Sequence, residues 1–157
     1  MIGYKAFDYD LVNRYGMKFD LNVEYSLSGE LKFGNNGNGF HFCTNLEDTL
    51  RYVDGANAII VMVEALGNLK QYDDEYNGYY DMFVTNKIKI IKVLTKEDIL
   101  KYMFKLPEFR MIRLISSYFQ FSEEDLQMLE MLYQNNDSII KAIRYYQRNE
   151  LDAYKIL

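Results

Sequence analysis

The sequence is short of the residue types that usually give a function away. It has one cysteine, one histidine, one proline and no tryptophan in 157 residues. A single cysteine closes no internal disulfide, so the fold does not depend on an oxidising compartment and Cys43 is a free thiol. One His and one Cys are too few for a structural zinc site drawn from this chain alone, and no metal or cofactor is expected. No apolar run approaches the ~18 residues that a membrane span requires. The longest, over 58–63, has the length of a buried strand, and the N-terminus lacks the basic-then-apolar order of a signal peptide. A cytoplasmic protein with no membrane partner is the expectation. A basic surplus is missing too: the net charge of −5 argues against sequence-independent nucleic-acid binding. There are 9 basic against 13 acidic side chains before residue 96 and 9 against 10 after it, so nucleic acid would have to use a C-terminal basic face.

What is present describes an ordinary globular chain. The apolar fraction of 49% and charged fraction of 26% are those of soluble domains. At this length about 70% of the unfolded surface can be buried. Tyrosine is abundant at 15 copies, beside 10 phenylalanines, and exposed tyrosines favour protein contacts.

The chain changes period once. Residues 2–7 fit a first strand, and Phe19, Leu21, Val23, Tyr25 and Leu27 alternate with polar residues as in a half-buried strand. Ser28-Gly29 then offers a tight turn and Leu31 and Phe33 a return strand, which together predict a β-hairpin. A loop of glycines and asparagines over 34–39 leads into a short strand at 40–43. Thr44-Asn-Leu-Glu47 has the form of a capping box, so a helix is expected directly after Cys43, broken at Asp54-Gly55. Residues 58–65 read as a central strand. Residues 82–94 read as a last one, with Lys87, Lys89 and Lys92 marking a solvated edge or a bulge where the alternation slips. From Thr95 onward the pattern is helical, with N-caps at Thr95 and Ser122 and helices near 96–105, 108–119, 123–134 and 138–155, the last broken near Asn149. The expected fold class is α+β: a mostly antiparallel sheet over 1–95 with one helix after the Gly-Phe-His-Phe-Cys strand, followed by a helical C-terminal region, 96–157, packed on it.

The stretch Gly34 to Asn45 concentrates the rare chemistry. His41 and Cys43, two apart on a strand, project to one face, where an imidazole could help generate a thiolate; the plainer reading is a cysteine buried in the core that includes the 58–65 strand. The glycine loop lacks the lysine and following helix of a phosphate-binding P-loop. Asp73, Asp74, Glu75 and Asp81 form an acidic, tyrosine-bearing loop whose spacing misses the calcium-loop pattern. Lys141, Arg144 and Arg148 recur at helical spacing with Tyr145 and Tyr146 between them, and Arg110 and Arg113 could join them to hold an acidic or phosphate-bearing partner.

Gly3-Tyr-Lys-Ala-Phe7, then Gly39-Phe-His-Phe-Cys43 with Asn45, Leu46 and Arg51-Tyr52, resembles an uncharacterised family of small domains of phage and bacterial proteins over roughly residues 1–95; Val63 to Gly67 and Thr85 to Ile90 look like its later strands. The resemblance implies a phage-related or bacterial protein but carries no activity. More distantly, the order of elements looks like ADP-ribosyltransferases. Those enzymes place Arg or His where this chain has Lys5, Ser-Thr-Ser or Tyr where it has Phe42-Cys43-Thr44, and a catalytic glutamate for which Glu75 and Asp81 are the nearest candidates. Two functions of different class follow. One is a non-enzymatic binding or inhibitory module acting on a host or bacterial protein or nucleoprotein through the C-terminal basic residues. The other is a nucleotide-dependent transferase whose cleft would join His41 and Cys43 to a carboxylate and to Lys5 or Arg51.

Overall fold

A computed structural model describes residues 1–34, 36–72 and 81–151. The fold is α+β, an antiparallel seven-stranded sheet accompanied by helices that lie mainly in the C-terminal region. The chain separates into two compact units, one comprising residues 1–54 and 58–94 and the other residues 55–57 and 95–157.

In the first unit the strands are β1 (Ile2–Phe7), β2 (Glu24–Ser26), β3 (Phe40–Cys43), β4 (Ile59–Ala65), β5 (Leu69–Gln71), β6 (Met82–Thr85) and β7 (Lys87–Val93). Their order across the sheet is β2-β7-β4-β1-β3-β6-β5. The uninterrupted apolar run of β4 has the interior position its composition demands, with β1 along one side and β7 along the other. Residues facing one another in register share a face of the sheet. Val61, Val63 and Ala65 of β4 therefore join Phe7 of β1 and Ile88 and Ile90 of β7 in one core, completed by Phe19, Phe40 and Phe42. Phe19 supplies ring contacts to Phe7, Tyr25 and Phe40 at centroid distances of 5.8, 4.9 and 5.9 Å.

The slip in alternation along β7 is a bulge. Met62 pairs with Lys92 and Val63 with Ile90, which leaves Ile91 as the extra residue. Ile88, Ile90 and Val93 thereby stay opposite Ala65, Val63 and Val61, while Lys89 and Lys92 stay opposite Glu64 and Met62. Lys87 and Lys89 are neutralised by Glu24 and Glu64. β7 is not an edge, because β2 covers its outer side.

Three local expectations are corrected. The 19–33 hairpin does not form: only Glu24–Ser26 is a strand, and it pairs with β7. Asn22 sits at φ +61, which breaks the extended run, and Leu21 and Val23 are exposed. The 28–30 backbone is held instead by the Asn38 side-chain amide, which donates to the carbonyls of Ser28 and Glu30, and Lys32 bridges Asn38. The run over 82–94 is two strands, split at Asn86, that pair on opposite sides of the sheet. The Asn86 backbone carbonyl accepts from Leu27 N–H and its side-chain carbonyl from Asn68 N–H. The helix after Cys43 starts at Leu46 with Asn45 as its cap, and neither Thr44 nor Asn45 supplies a side-chain capping bond. It is one turn of α-helix, α1 (Leu46–Thr49), tightening into a 3₁₀ turn over Leu50–Tyr52. The short strand β5, every residue of it exposed, carries no sequence signal.

The second unit contains α2 (Lys96–Met103), α3 (Glu108–Ser117), α4 (Glu123–Leu132) and α5 (Asp137–Ala142), the last continuing as a π-helical turn over Ile143–Gln147. Thr95 and Ser122 both form reciprocal capping boxes, with Asp98 and Asp125. Met111, Leu114, Ile115, Leu126, Leu129, Ile139 and Ile143 are buried at helical spacing. The π turn ends at Arg148, and Asn149 at φ +54 stops the helix where the sequence suggested a break.

Gly3 is the residue on which the packing of β1 against β3 turns. Any side chain there would collide with the Phe42 ring and the Cys43 carbonyl. Gly3→Ala is expected to destabilise the fold by about 1–3 kcal/mol, as overpacking of a filled core does. A lowered urea midpoint at unchanged slope is the expected reading, and an unchanged midpoint would refute this account of the packing.

Candidate functional site

The site begins where the sheet fails to close. β1 makes six consecutive pairs with β4, and β3 makes four with β6, but β1 and β3 share one, Tyr4 with Cys43. The seam between them opens beyond that pair, and the ammonium of Lys5 donates to the His41 backbone carbonyl at 2.9 Å. A backbone acceptor at the open seam is thus satisfied by a side chain in place of a ladder partner.

The opening is a cleft of about 920 Å³. That is the size of a site for a small organic ligand. Two loops border it. The first follows β1, where the Asn13 side chain accepts from the N–H groups of Tyr15 and Met17 and Val12 bridges Lys18, placing Arg14 and Tyr15 at the cleft. The second is the glycine loop, which turns into β3 through Gly39 at φ +126, where a Cβ would strike Val84. Phe33 carries an aromatic cluster, edge-on to His41 at 5.5 Å and to Tyr72 at 5.1 Å, and all three line the cleft.

Three titratable groups on the strands are displaced from their ordinary behaviour. Lys5 is partly buried, and burial lowers its pKa to about 8; nearby Arg14 pushes the same way and Cys43 opposes. His41 falls to about 4, from burial first, then the charges of Lys5 and Arg14, with hydrogen bonding to the Gly39 backbone opposing. The Cys43 thiol is pushed up to about 12 by burial first and by Asp48, against the pull of Lys5 and Arg51, with Asp81 adding to the rise. At pH 7 the cysteine is a thiol, the imidazole is neutral, and Lys5 remains mostly an ammonium.

Of the residues expected from the sequence, Lys5, His41 and Cys43 all line this cleft, with Lys5, opposite Val61 in register, leaving β1 on the core face. Cys43 is buried, but it does not belong to the core that holds Val61 and Val63: alternation along β3 sends Phe40 and Phe42 to that core and His41 and Cys43 to the other face. Arg51 stands outside the lining, 4.0 Å from buried Asp48. Asp81 accepts from the Asn45 amide at 2.7 Å, and its backbone carbonyl accepts from Thr44 N–H. Asp73, Asp74 and Glu75 lie outside the described residues. Sequence reasoning missed Arg14, Tyr15, Phe33 and Tyr72. The available signal was the Asn-Arg-Tyr-Gly turn at 13–16, a charged and aromatic pair held by two turn formers.

Two of the C-terminal candidates, Arg148 and Arg110, are engaged by other side chains. Arg148 is held by Glu130 through two bonds of 2.9 and 3.0 Å and by Glu123 at 2.9 Å, which keeps its charge engaged within its own unit. Arg110 donates to the Tyr102 hydroxyl at 2.7 Å. Lys141 and Arg113 are half-buried, Arg144 and Tyr145 are exposed, and the Tyr145 and Tyr146 rings meet edge-on at 4.9 Å. Among the described residues no group of three or more His, Cys, Asp or Glu side chains is placed to hold a metal ion, and no helix is long and apolar enough to cross a membrane.

Cys43 should alkylate slowly in the native protein. Its thiolate fraction at pH 7.4 is on the order of 1000-fold below that of an unperturbed thiol, and burial slows access further. Iodoacetamide labelling followed by mass spectrometry is expected to show a rate that climbs with pH through 9 and beyond. A plateau below pH 8 would show a reactive nucleophile instead.

No curated protein and no solved structure matches the chain. Residues 1–102, which hold the whole sheet and the cleft, match a family model described as a domain of unknown function, DUF7666, and the chain belongs to that family.

Proposed function

We propose that the sheet unit is a binding domain for a small anionic molecule bearing a planar ring, a nucleotide being the class that meets both requirements, and that it works as a binding module and not as a catalyst. The observation that carries this reading is the presence of Lys5, Arg14 and His41 in the lining of one cleft, near enough to act on one another's charge. Lys5 and Arg14 each disfavour the charged form of His41, and Arg14 disfavours that of Lys5. Against them the described lining offers a single carboxylate, Asp8. An anion relieves that repulsion, and Phe33, Tyr72 and Tyr15 provide ring faces or edges beside it. Stacking of a base on such side chains contributes ~1–3 kcal/mol.

Titration calorimetry with ATP, ADP, adenosine and inorganic phosphate tests it. Above the phosphate's own second ionisation, at about pH 6 to 7, affinity is expected to fall as pH rises through about 8, because the anion favours the protonated Lys5 and that proton leaves the free protein there. Lys5→Met should weaken binding about 10- to 100-fold, the worth of a charge-assisted hydrogen bond, and abolish the alkaline decline. Absence of binding by every one of the four would overturn the reading.

A second reading is a nucleotide-dependent transferase, similar to ADP-ribosyltransferases, acting through His41 or Cys43. It is favoured by their sharing the cleft with Lys5. The raised thiol and the depressed imidazole weigh against it, and turnover of a labelled nucleotide would restore it. A host or bacterial protein partner, as a phage-related role implies, stays a proposal for the helical region, where Arg144 and Tyr145 are exposed. Capture from a host lysate, lost on alanine substitution of Arg144, Tyr145 and Tyr146, is its test.

A further inference from the structure

We propose that Lys5 is a covalent capture point, whose amine condenses with an aldehyde or ketone carried by the anionic ligand of the cleft. The inference rests on the anion-binding reading and adds a bond to it. The residue's position is the first argument. Six pairs to β4 fix the backbone of β1 on one side of Lys5, while on the other side the sheet is open. The side chain therefore leaves a rigid base and ends in a cavity large enough for a ligand.

Its partner is the second argument. Lys18, Lys87, Lys89, Lys96 and Lys101 are each paired with a carboxylate, which holds the ammonium form. Lys5 has no carboxylate within ion-pairing distance among the described residues, and Nζ donates to a backbone carbonyl. The Phe7 ring centroid lies 5.7 Å from Nζ. Apolar surroundings and a neighbouring cation are the conditions that activate a lysine for Schiff-base chemistry. The titratable groups near it are His41 and Cys43 of β3, whose side chains leave the other face of the sheet, Arg14 from the loop after β1, and Asp8 in the same lining. Burial, with a smaller contribution from Arg14, lowers its pKa to about 8, whereas ion pairs raise those of Lys18 and Lys101.

The step balances without an oxidant. The neutral amine adds to the carbonyl carbon to give a carbinolamine. Loss of one water, made from the carbonyl oxygen and two amine hydrogens, leaves the imine. Arg14 faces the same space and would hold the phosphate or carboxylate of the ligand.

The probe is pyridoxal phosphate, which carries a ring, an aldehyde and a phosphate, with pyridoxal as the uncharged control. The full chain is treated at pH 8 with substoichiometric probe, reduced with borohydride, and mapped by peptide mass spectrometry. The expected result is one adduct, at Lys5, favoured at least about tenfold over any other lysine. Arg14→Ala should lower the yield about tenfold more with pyridoxal phosphate than with pyridoxal, whose smaller loss reports only the rise of the Lys5 pKa once Arg14 is gone. Lys5→Arg and Lys5→Met, checked for folding by circular dichroism, should remove the adduct; mapping of the wild-type chain decides the question if neither folds. Binding of unreduced pyridoxal phosphate, with label spread over surface lysines and Lys5 unmodified, would overturn covalent capture and leave anion binding standing. If neither pyridoxal phosphate nor any nucleotide binds, both readings fall.

Discussion

The hydrogen bond from Lys5 Nζ to the His41 carbonyl is the contact on which the character of this domain depends. A sheet normally continues until its edge, because an unpaired backbone group away from water is costly. Here it is interrupted between two interior strands, and a lysine replaces the missing donor. The interruption is tolerable because each strand at the seam is secured on its far side, β1 by β4 and β3 by β6. Gly3 sets where the strands stay together, since it alone lets the Phe42 ring and the Cys43 carbonyl come close. Beyond the next residue, Tyr4, which pairs with Cys43, the strands part, and a cavity lies between them.

That cavity determines the protonation states of what lines it. Removing a histidine, a lysine and a cysteine from water disfavours the charged form of each. For Cys43 and His41 the shifts diverge: transfer of a proton from thiol to imidazole runs uphill across the gap between about 12 and about 4. A thiolate–imidazolium pair, the ordinary basis of cysteine nucleophilicity, is disfavoured by the environment that brings the two side chains together. Lys5 responds differently, because about 8 leaves it charged at neutral pH yet with an appreciable neutral fraction. The same amine serves to attract an anion and to act as a nucleophile.

The fold was legible where sequence signals are local. β4 and β3 follow from runs of apolar and aromatic residues, the capping boxes at Thr95 and Ser122 from four-residue patterns, and the bulge at Ile91 from lysines that change parity. The 19–33 hairpin failed for a reason that periodicity does not contain. Asn22 takes a left-handed conformation, and the backbone that should have paired within a hairpin is bound by Asn38 and by Asn86 from outside the segment. Splitting of the 82–94 run at Asn86 has the same origin, a tertiary partner overriding a local pattern. The candidate site was half legible. Lys5, His41 and Cys43 stand on strands that could be placed, whereas Arg14, Phe33 and Tyr72 reach the cleft from segments whose course depends on the whole sheet.

This division between strand and loop residues has a chemical consequence. Side chains on β1 and β3 are fixed by ladder pairs, so the distances among Lys5, His41 and Cys43 are set by the sheet itself. Arg14 and Tyr15 stand on a turn held by the Asn13 side chain, and Phe33 on a loop tied at the Lys32 and Asn38 bridge. Loops of this kind can change length and composition without disturbing the sheet. Groups that must hold a reactive atom in place belong on the strands, and groups that select the rest of the ligand belong on the loops. Lys5 is in the first class and Arg14 in the second, which is why exchanging the loop residue should change which anion is held while leaving the amine where it is.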